Sequence, residues 1–377
     1  MTVAPAPTSI QEPKERRRVT RYDVLRRLPL LITIVAVAIF AVYILFVTEP
    51  APLQGGGSWR TTTFGSAVHD PVDFAKTFLD AITFAGLLFV VASGFTLIFG
   101  LMRTVNMAHG TLFLLGGYIA FDLQQYFSNA GGFALQEVPA WQWFLPAIVA
   151  AVAVAGIGLV MQQAFLRWTQ GQDLRQALIT IAVSIIIGDQ MLQHWPLQDS
   201  LAWPSFIGPN NFAHIGGVVY AWSRLFILGV AVVIGLGLYL WLHKTKTGMV
   251  IRAGVDDRHM VSALGVNIQR AFAIAFIVGA ALAGFGGAMG GAFSSLAPGV
   301  DGQWLLNSLV VVIIGGMGSL GGAAVGSLLY AFVFTFSAAY LPTSSLDCCT
   351  EYSPIFTFAL LIAVLALRPL GLFGRPA

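Results

Sequence analysis

The fold class this sequence predicts is all-α, a polytopic transmembrane helical bundle, and three observations predict it. First, 57% of the 377 residues are hydrophobic and only 10% are charged, against about 25% charged in an ordinary soluble domain. The mean hydropathy is +0.79. Second, the charges are gathered between long bare runs. None lies between Arg270 and Asp301, between Asp301 and Asp347, or between Glu351 and Arg368. A hydrocarbon core about 30 Å thick demands about 20 apolar residues from a helix, and such runs recur about ten times, roughly eight to ten of them counting as spans. Third, basic residues stand at alternate ends of these runs, which keeps those ends, and both termini, on the cytoplasmic side.

In chain order, residues 1–27 are a polar tail with Lys14, Arg16, Arg17, Arg18 and Arg21. Leu28–Val47 is a first apolar run, long and without a clear small-residue cleavage site, and so a retained helix rather than a signal peptide. Residues 49–76 are an external linker, so 1–77 forms an appendix to the membrane body 78–377. Phe78–Leu101 is the second run and Arg103 closes it inside. Val105–Phe121 is the third. After an external loop in which Trp141 and Trp143 suit the aromatic belt, Phe144–Leu166 is the fourth. Arg167–Arg175 is an inside turn, Gln176–Leu192 the fifth run, 193–220 an external loop and Ala221–Leu242 the sixth. The basic insert 243–270 follows. Ala271–Gly290 is the seventh run, rich in small residues that let membrane helices approach closely. Residues 291–303 are external. Leu305–Ile314 is too short for an ordinary span. Ala323–Leu341 and Pro354–Leu367 complete the set, with Arg368 and Arg375 inside.

Three stretches carry functional signals. In Asn106–Gly110 (NMAHG), Asn106 and His109 are polar groups entering hydrocarbon. They belong in the bundle interior or at a helix end, where Asn106 suits an N-cap, and a place on the substrate path is the second option. Gly315–Gly322 (GGMGSLGG), with Gly315, Gly316, Gly318 and Ser319, does not hold a regular helix. It is either a tight turn at the cytoplasmic face or a broken segment lining a wet cavity. The insert His243–Arg270 carries Lys244, Lys246, Arg252, Arg258 and Arg270 against Asp256 and Asp257. Its interior, Asp256–Leu264, forms a short helix between Gly254 and Gly265. Asp256 and Asp257 favour the helix dipole, and Met260, Val261 and Leu264 make an apolar face that needs a partner protein, the bundle or the lipid surface to cover it.

Absences narrow the chemistry. No GxxxxGK[ST], HExxH or GxSxG motif is present, so nucleotide hydrolysis and these hydrolase classes are not expected of the chain itself. His109 has no second ligand at helical spacing and no metal is expected. The basic residues form no continuous patch for nucleic acid. The adjacent Cys348 and Cys349 are a poor staple. Asp189 and Arg224 lie near span ends, within reach of the interface by snorkelling. With few ionisable groups inside the spans, a passive channel or a pore driven by an outside engine fits better than a proton-driven carrier.

At these motifs the chain resembles the permease subunits of bacterial branched-chain amino acid transporters of the ATP-binding-cassette class, a family that also includes urea and short-chain amide permeases. The similarity lies in Phe95–Phe121 around NMAHG, in Gly248–Arg270, in VVVIIGGMGSLGGAAVGSLL (Val310–Leu329) and in LALRPLGLFGRP (Leu365–Pro376), and it covers roughly Phe78 to Ala377. The resemblance implies alternating access in the cell inner membrane, with no cofactor held by this chain and ATP used by partners. Those partners would be two cytoplasmic ATPase subunits, a second related permease and an extracytoplasmic binding protein. The implied ATPase-docking residues are Asp256, Asp257, Arg258, Ala263, Leu264 and Gly265. Val255-Asp256-Asp257 departs from the glutamate–alanine–alanine start of that class, whereas Ala263-Leu264-Gly265 keeps its small–apolar–glycine end. Residues 1–77 extend beyond the family pattern.

Overall fold

The computed structural model describes residues 51–52, 59–60, 71–102, 105–129, 137–195, 199–208, 211–215, 217–340 and 353–374. The expected first span at 28–47, the basic tail, Arg103 and the cysteine pair lie outside the described residues. The helices in chain order are α1 (Pro71–Met102), α2 (His109–Ser128), α3 (Trp141–Ala164), α4 (Asp173–His194), α5 (Trp222–Lys244), α6 (Lys246–Asp256), α7 (Arg258–Ala263), α8 (Ile268–Phe293), α9 (Val300–Gly315), α10 (Leu320–Tyr340) and α11 (Ser353–Leu367). Among the described residues, six helices are long and apolar enough to cross a membrane: α1, α3, α4, α5, α8 and α10. The shorter α9 and α11 are apolar as well.

Small residues decide how these helices meet. Lipid tails are as apolar as leucine, so membrane helices associate through close packing rather than through burial from water. A β-carbon added at Gly116 of α2 would fall on the backbone of Gly284 in α8, and one at Gly94 of α1 would meet the carbonyl of Gly279. Helix α8 thus runs through the middle of the bundle, packed on α1, α2 and α3. Helices α9 and α10 form an antiparallel hairpin, and α10 lies along α1, with Phe84 against Phe334 and Phe78 against Phe332.

One end of the bundle is basic. It gathers Arg167, Arg175, His243, Lys244, Arg270 and Arg368 at or beside helix ends. The other end carries short strands: β1 (Glu137–Val138) beside β2 (Trp203–Pro204) in parallel, and a hairpin of β3 (Phe212–Ile215) and β4 (Val218–Ala221). Gln124 of α2 ties this end together, its amide exchanging bonds with the backbone N–H and C=O of Ala202. Asp199 and Leu296 also exchange backbone bonds, of 2.9 and 2.7 Å.

Several sequence expectations shift. The third expected run forms helix α2, which starts at His109, not Val105. The polar insert holds two helices, α6 and α7, where one over Asp256–Leu264 was expected, and Asp256 closes a helix instead of opening one. Trp143 is not in an interfacial belt. It is fully buried, with its ring near those of Trp203 and Phe226. Arg224 does more than reach for the interface: it forms an ion pair with Asp80 that joins α5 to α1.

Candidate functional site

Helix α2 begins partway along the bundle rather than at its basic end. His109 Nε2 lies 3.1 Å from the carbonyl of Val91, and Val91 is well short of the end of α1 at Met102. At a rise of 1.5 Å per residue the separation along the axis is about 16 Å. The chain leaving α1 therefore turns back among the helices before α2 starts. Non-helical backbone at that depth has to be satisfied locally, and nearby hydroxyls and amides do this. Met107 N donates to Thr180 Oγ1 of α4 at 3.1 Å, Ala108 N donates to Asn106 Oδ1 at 3.1 Å, and His109 N donates to the Asn106 carbonyl at 3.2 Å. Asn106 therefore shapes the turn before α2. The capping position itself is Ala108, which makes no side-chain cap.

Helix α9 brings its own N-terminus to the same place. Gly110 has no side chain because the carbonyl of Asp301 occupies that space. Thr111 Oγ1 donates to Asp301 Oδ2 at 3.0 Å and lies 2.5 Å from Ser184 Oγ of α4. A hydroxyl has one proton. With that of Thr111 directed to the carboxylate, Ser184 is the donor in the second bond, so the order is Ser184 to Thr111 to Asp301. Phe113 stacks on Trp304 at 4.4 Å beside them. Asn106 is 2% exposed and His109 fully buried, yet Asn106 Nδ2 and His109 Nδ1 have no hydrogen-bond partner. His109 also meets the Phe95 ring edge-on. Among the described residues no group of three His, Cys, Asp or Glu could hold a metal ion.

The glycine stretch lies elsewhere. Gly315, Gly316, Gly318 and Ser319 are at the opposite end of α9, about 20 Å from Asp301 along its axis. They form a tight turn. Ser319 Oγ accepts from Gly322 N at 3.0 Å and caps α10. Leu372 N and Phe373 N donate to the carbonyls of Ile314 and Gly315, satisfying the open end of α9. Asn106, His109 and Gly110 are thus brought together, and the glycine turn is not part of that group. Sequence reasoning passed over Asp301, Thr111 and Ser184. The available signal was Asp301 itself, the single charge between Arg270 and Asp347.

The basic knuckle is a separate surface. Asp257 Oδ1 accepts from Met260 N at 3.0 Å and opens α7. At its other end Gly265 N donates to the Ser262 carbonyl and Val266 N to that of Val261. This paired closure places Gly265 at φ 78°, a left-handed position suited to glycine. Val261 is buried, while Met260 and Leu264 are 60% and 75% exposed. Ala263 is exposed beside them.

Fold and site together define a polytopic helical membrane protein with helix ends meeting inside its bundle and a structured basic loop at one end. The chain belongs to the family described as "branched-chain amino acid transport system / permease component", which matches residues 77–365. It is 27% identical over 310 residues to the high-affinity branched-chain amino acid transport system permease protein BraD of Pseudomonas aeruginosa, covering 80% of this chain and 96% of that protein. It is 27% identical over 315 residues to LivH of Escherichia coli K12, with the same coverages. A probable LivH of Methanocaldococcus jannaschii is 23% identical over 298 residues, or 78% of this chain and 90% of that protein. No solved structure matches.

Proposed function

We propose that this chain is the membrane-spanning permease subunit of an ATP-driven importer that moves branched-chain amino acids by alternating access. Two cytoplasmic ATPase subunits drive it, a second related permease completes the path, and an extracytoplasmic binding protein delivers the substrate. The observation that carries this reading is the α7 knuckle. It is a short helix closed at both ends that leaves Met260 and Leu264 exposed, and exposed apolar side chains on a rigid support make a docking surface. Asp256, Asp257, Arg258, Ala263, Leu264 and Gly265 form the segment that meets the ATPases. The excess of basic residues at this end supports a cytoplasmic position for it and for both termini. The body 78–377 is the permease proper, and residues 1–77 add a peripheral tail and span.

Uptake of radiolabelled leucine and urea, in competition, tests the reading. The comparison is between cells with the intact transporter genes and cells lacking this chain alone. The expected result is loss of leucine uptake with urea uptake unchanged. Loss of urea uptake alone would keep the mechanism and replace the substrate. Leucine flux through this chain in vesicles without nucleotide would overturn the ATP-driven reading.

A further inference from the structure

We infer that the meeting point of α2 and α9 is the station that recognises the charged groups of the transported amino acid. Asp301 receives its α-ammonium, and the N-terminus of α2 with Asn106 Nδ2 receives its α-carboxylate. The inference rests on the amino-acid reading above and assigns that substrate's two charges to named groups.

Four observations converge on it. Among the described residues, ion pairs join Lys76 to Asp73, His194 to Asp122 and Arg224 to Asp80, and Asp301 takes part in none. Asp301 is a partly exposed carboxylate in the first turn of α9, and among the described residues it is met by the Thr111 hydroxyl rather than by a cation. Next, α2 and α9 both start here without a side-chain cap on their N-cap residues. Helix N-termini hold partial positive charge and open N–H groups, the chemistry that binds a carboxylate. Third, Asn106 Nδ2, on a side chain 2% exposed, is a donor without an acceptor one turn before Gly110. A buried amide without a partner costs free energy, and a carboxylate would satisfy it. Finally, the neighbourhood is acidic. Tyr118 of α2 lies within electrostatic reach of both Asp199 and Asp301, and Asp199 within reach of Asp122. Asp122, Asp199 and Asp301 thus make the surroundings of Tyr118 negative, a potential that favours an ammonium group.

The station reads only what all α-amino acids share. Selection for a branched side chain falls to the binding protein and to the apolar walls around Phe113 and Trp304.

The test uses the complete complex in proteoliposomes, with the binding protein saturating on the outside and radiolabelled leucine as the probe. Asp301→Asn is expected to lower uptake about thirtyfold or more, the loss that follows when one partner leaves a desolvated charge pair. ATPase stimulation by the binding protein, which reports assembly and docking, is expected to persist. Thr111→Val removes the hydroxyl's bonds to the Asp301 carboxylate and to Ser184 but keeps the carboxylate, so its loss is expected to be smaller than that of D301N. Wild-type uptake by D301N overturns the inference. Equal losses in D301N and T111V also overturn it, because they make Asp301 a brace for α2. If D301N fails to assemble, Asp301→Glu decides. A raised half-saturating leucine concentration in an assembled D301E complex supports the station, and an unchanged one overturns it. A wild-type complex that carries no leucine at all refutes the amino-acid reading itself, before any variant is compared.

Discussion

Val255, on the last turn of α6, lies directly over Gly318 in the turn between α9 and α10: a β-carbon on Gly318 would sit 3.1 Å from Val255 Cγ1. Helix α6 therefore rests on the base of α9, whose far end carries Asp301. Gly100 of α1 lies against the same position on Gly318, so the turn touches both α1 and α6. Gly318→Val would add bulk there and strain a φ of 79°, at a cost of about 1–2 kcal/mol from the left-handed backbone alone. The expected result is an assembled complex that hydrolyses ATP but transports less substrate for each ATP. The ratio of uptake to hydrolysis in proteoliposomes checks this, and an unchanged ratio would reduce the contact to packing.

The knuckle gives a second prediction. Nothing lies within 4 Å of a β-carbon at Gly265, so Gly265→Arg disturbs the end of α7 without pushing on the bundle. Its backbone strain is about 1–2 kcal/mol and local. Co-purification of the ATPase subunits should be lost while the permease keeps its thermal stability. Leu264→Ser should weaken the same co-purification without any backbone effect. Wild-type recovery of the ATPases with both variants would remove the knuckle from the docking surface.

Two glycines separate space from conformation. Gly116→Val would drive a side chain into the Gly284 backbone and should destabilise the protein by about 3 kcal/mol or more, the upper end for overpacking. Gly156, inside α3, has nothing within 4 Å of its β-carbon position. Gly156→Ala should stabilise the protein by about 1 kcal/mol through helix propensity. Unfolding temperatures in one detergent compare the two, and opposite signs are expected.

Asp199 gives a pH prediction. Its carboxyl is raised above the usual 3.8, first by burial and then by repulsion from Asp122. The folded protein therefore holds this proton more tightly than the unfolded chain. Ionisation opposes folding as pH rises past 3.8 and does so fully once pH exceeds the folded value. Asp199→Asn should then stabilise the protein at neutral pH, and the gain should vanish below pH 3.8, where both states of the wild type are protonated. Unfolding scans at several pH values test this; a variant less stable than wild type at neutral pH contradicts it.

The sequence showed the membrane class because twenty-residue apolar runs and basic ends are one-dimensional signals. It also placed the closure of the knuckle at Gly265, since a left-handed cap is written in a single residue. What it hid was depth. NMAHG looks alike whether its helix begins at the membrane face or halfway in, and only the contact between His109 and Val91 tells the two apart. Asp301 read as loop, not as the first turn of α9, because a charge next to Gly299 and Gly302 has the composition of one. Its partners Thr111 and Ser184 are small hydroxyl residues in apolar runs, where such residues are common. Trp143 was misplaced for a related reason: an indole near a predicted span end suits a lipid interface as well as a packed interior.

The bonds from Leu372 and Phe373 to the last carbonyls of α9 also bear on how the protein is made. Those donors leave the ribosome after α10 and α11, about sixty residues behind the carbonyls they satisfy. At about 5–20 residues per second that is a delay of roughly 3–12 seconds. Through that interval the last carbonyls of α9 lack these donors. A chain whose synthesis stops before Leu372 never forms these bonds, so the end of α9 is completed only by the last residues to be made.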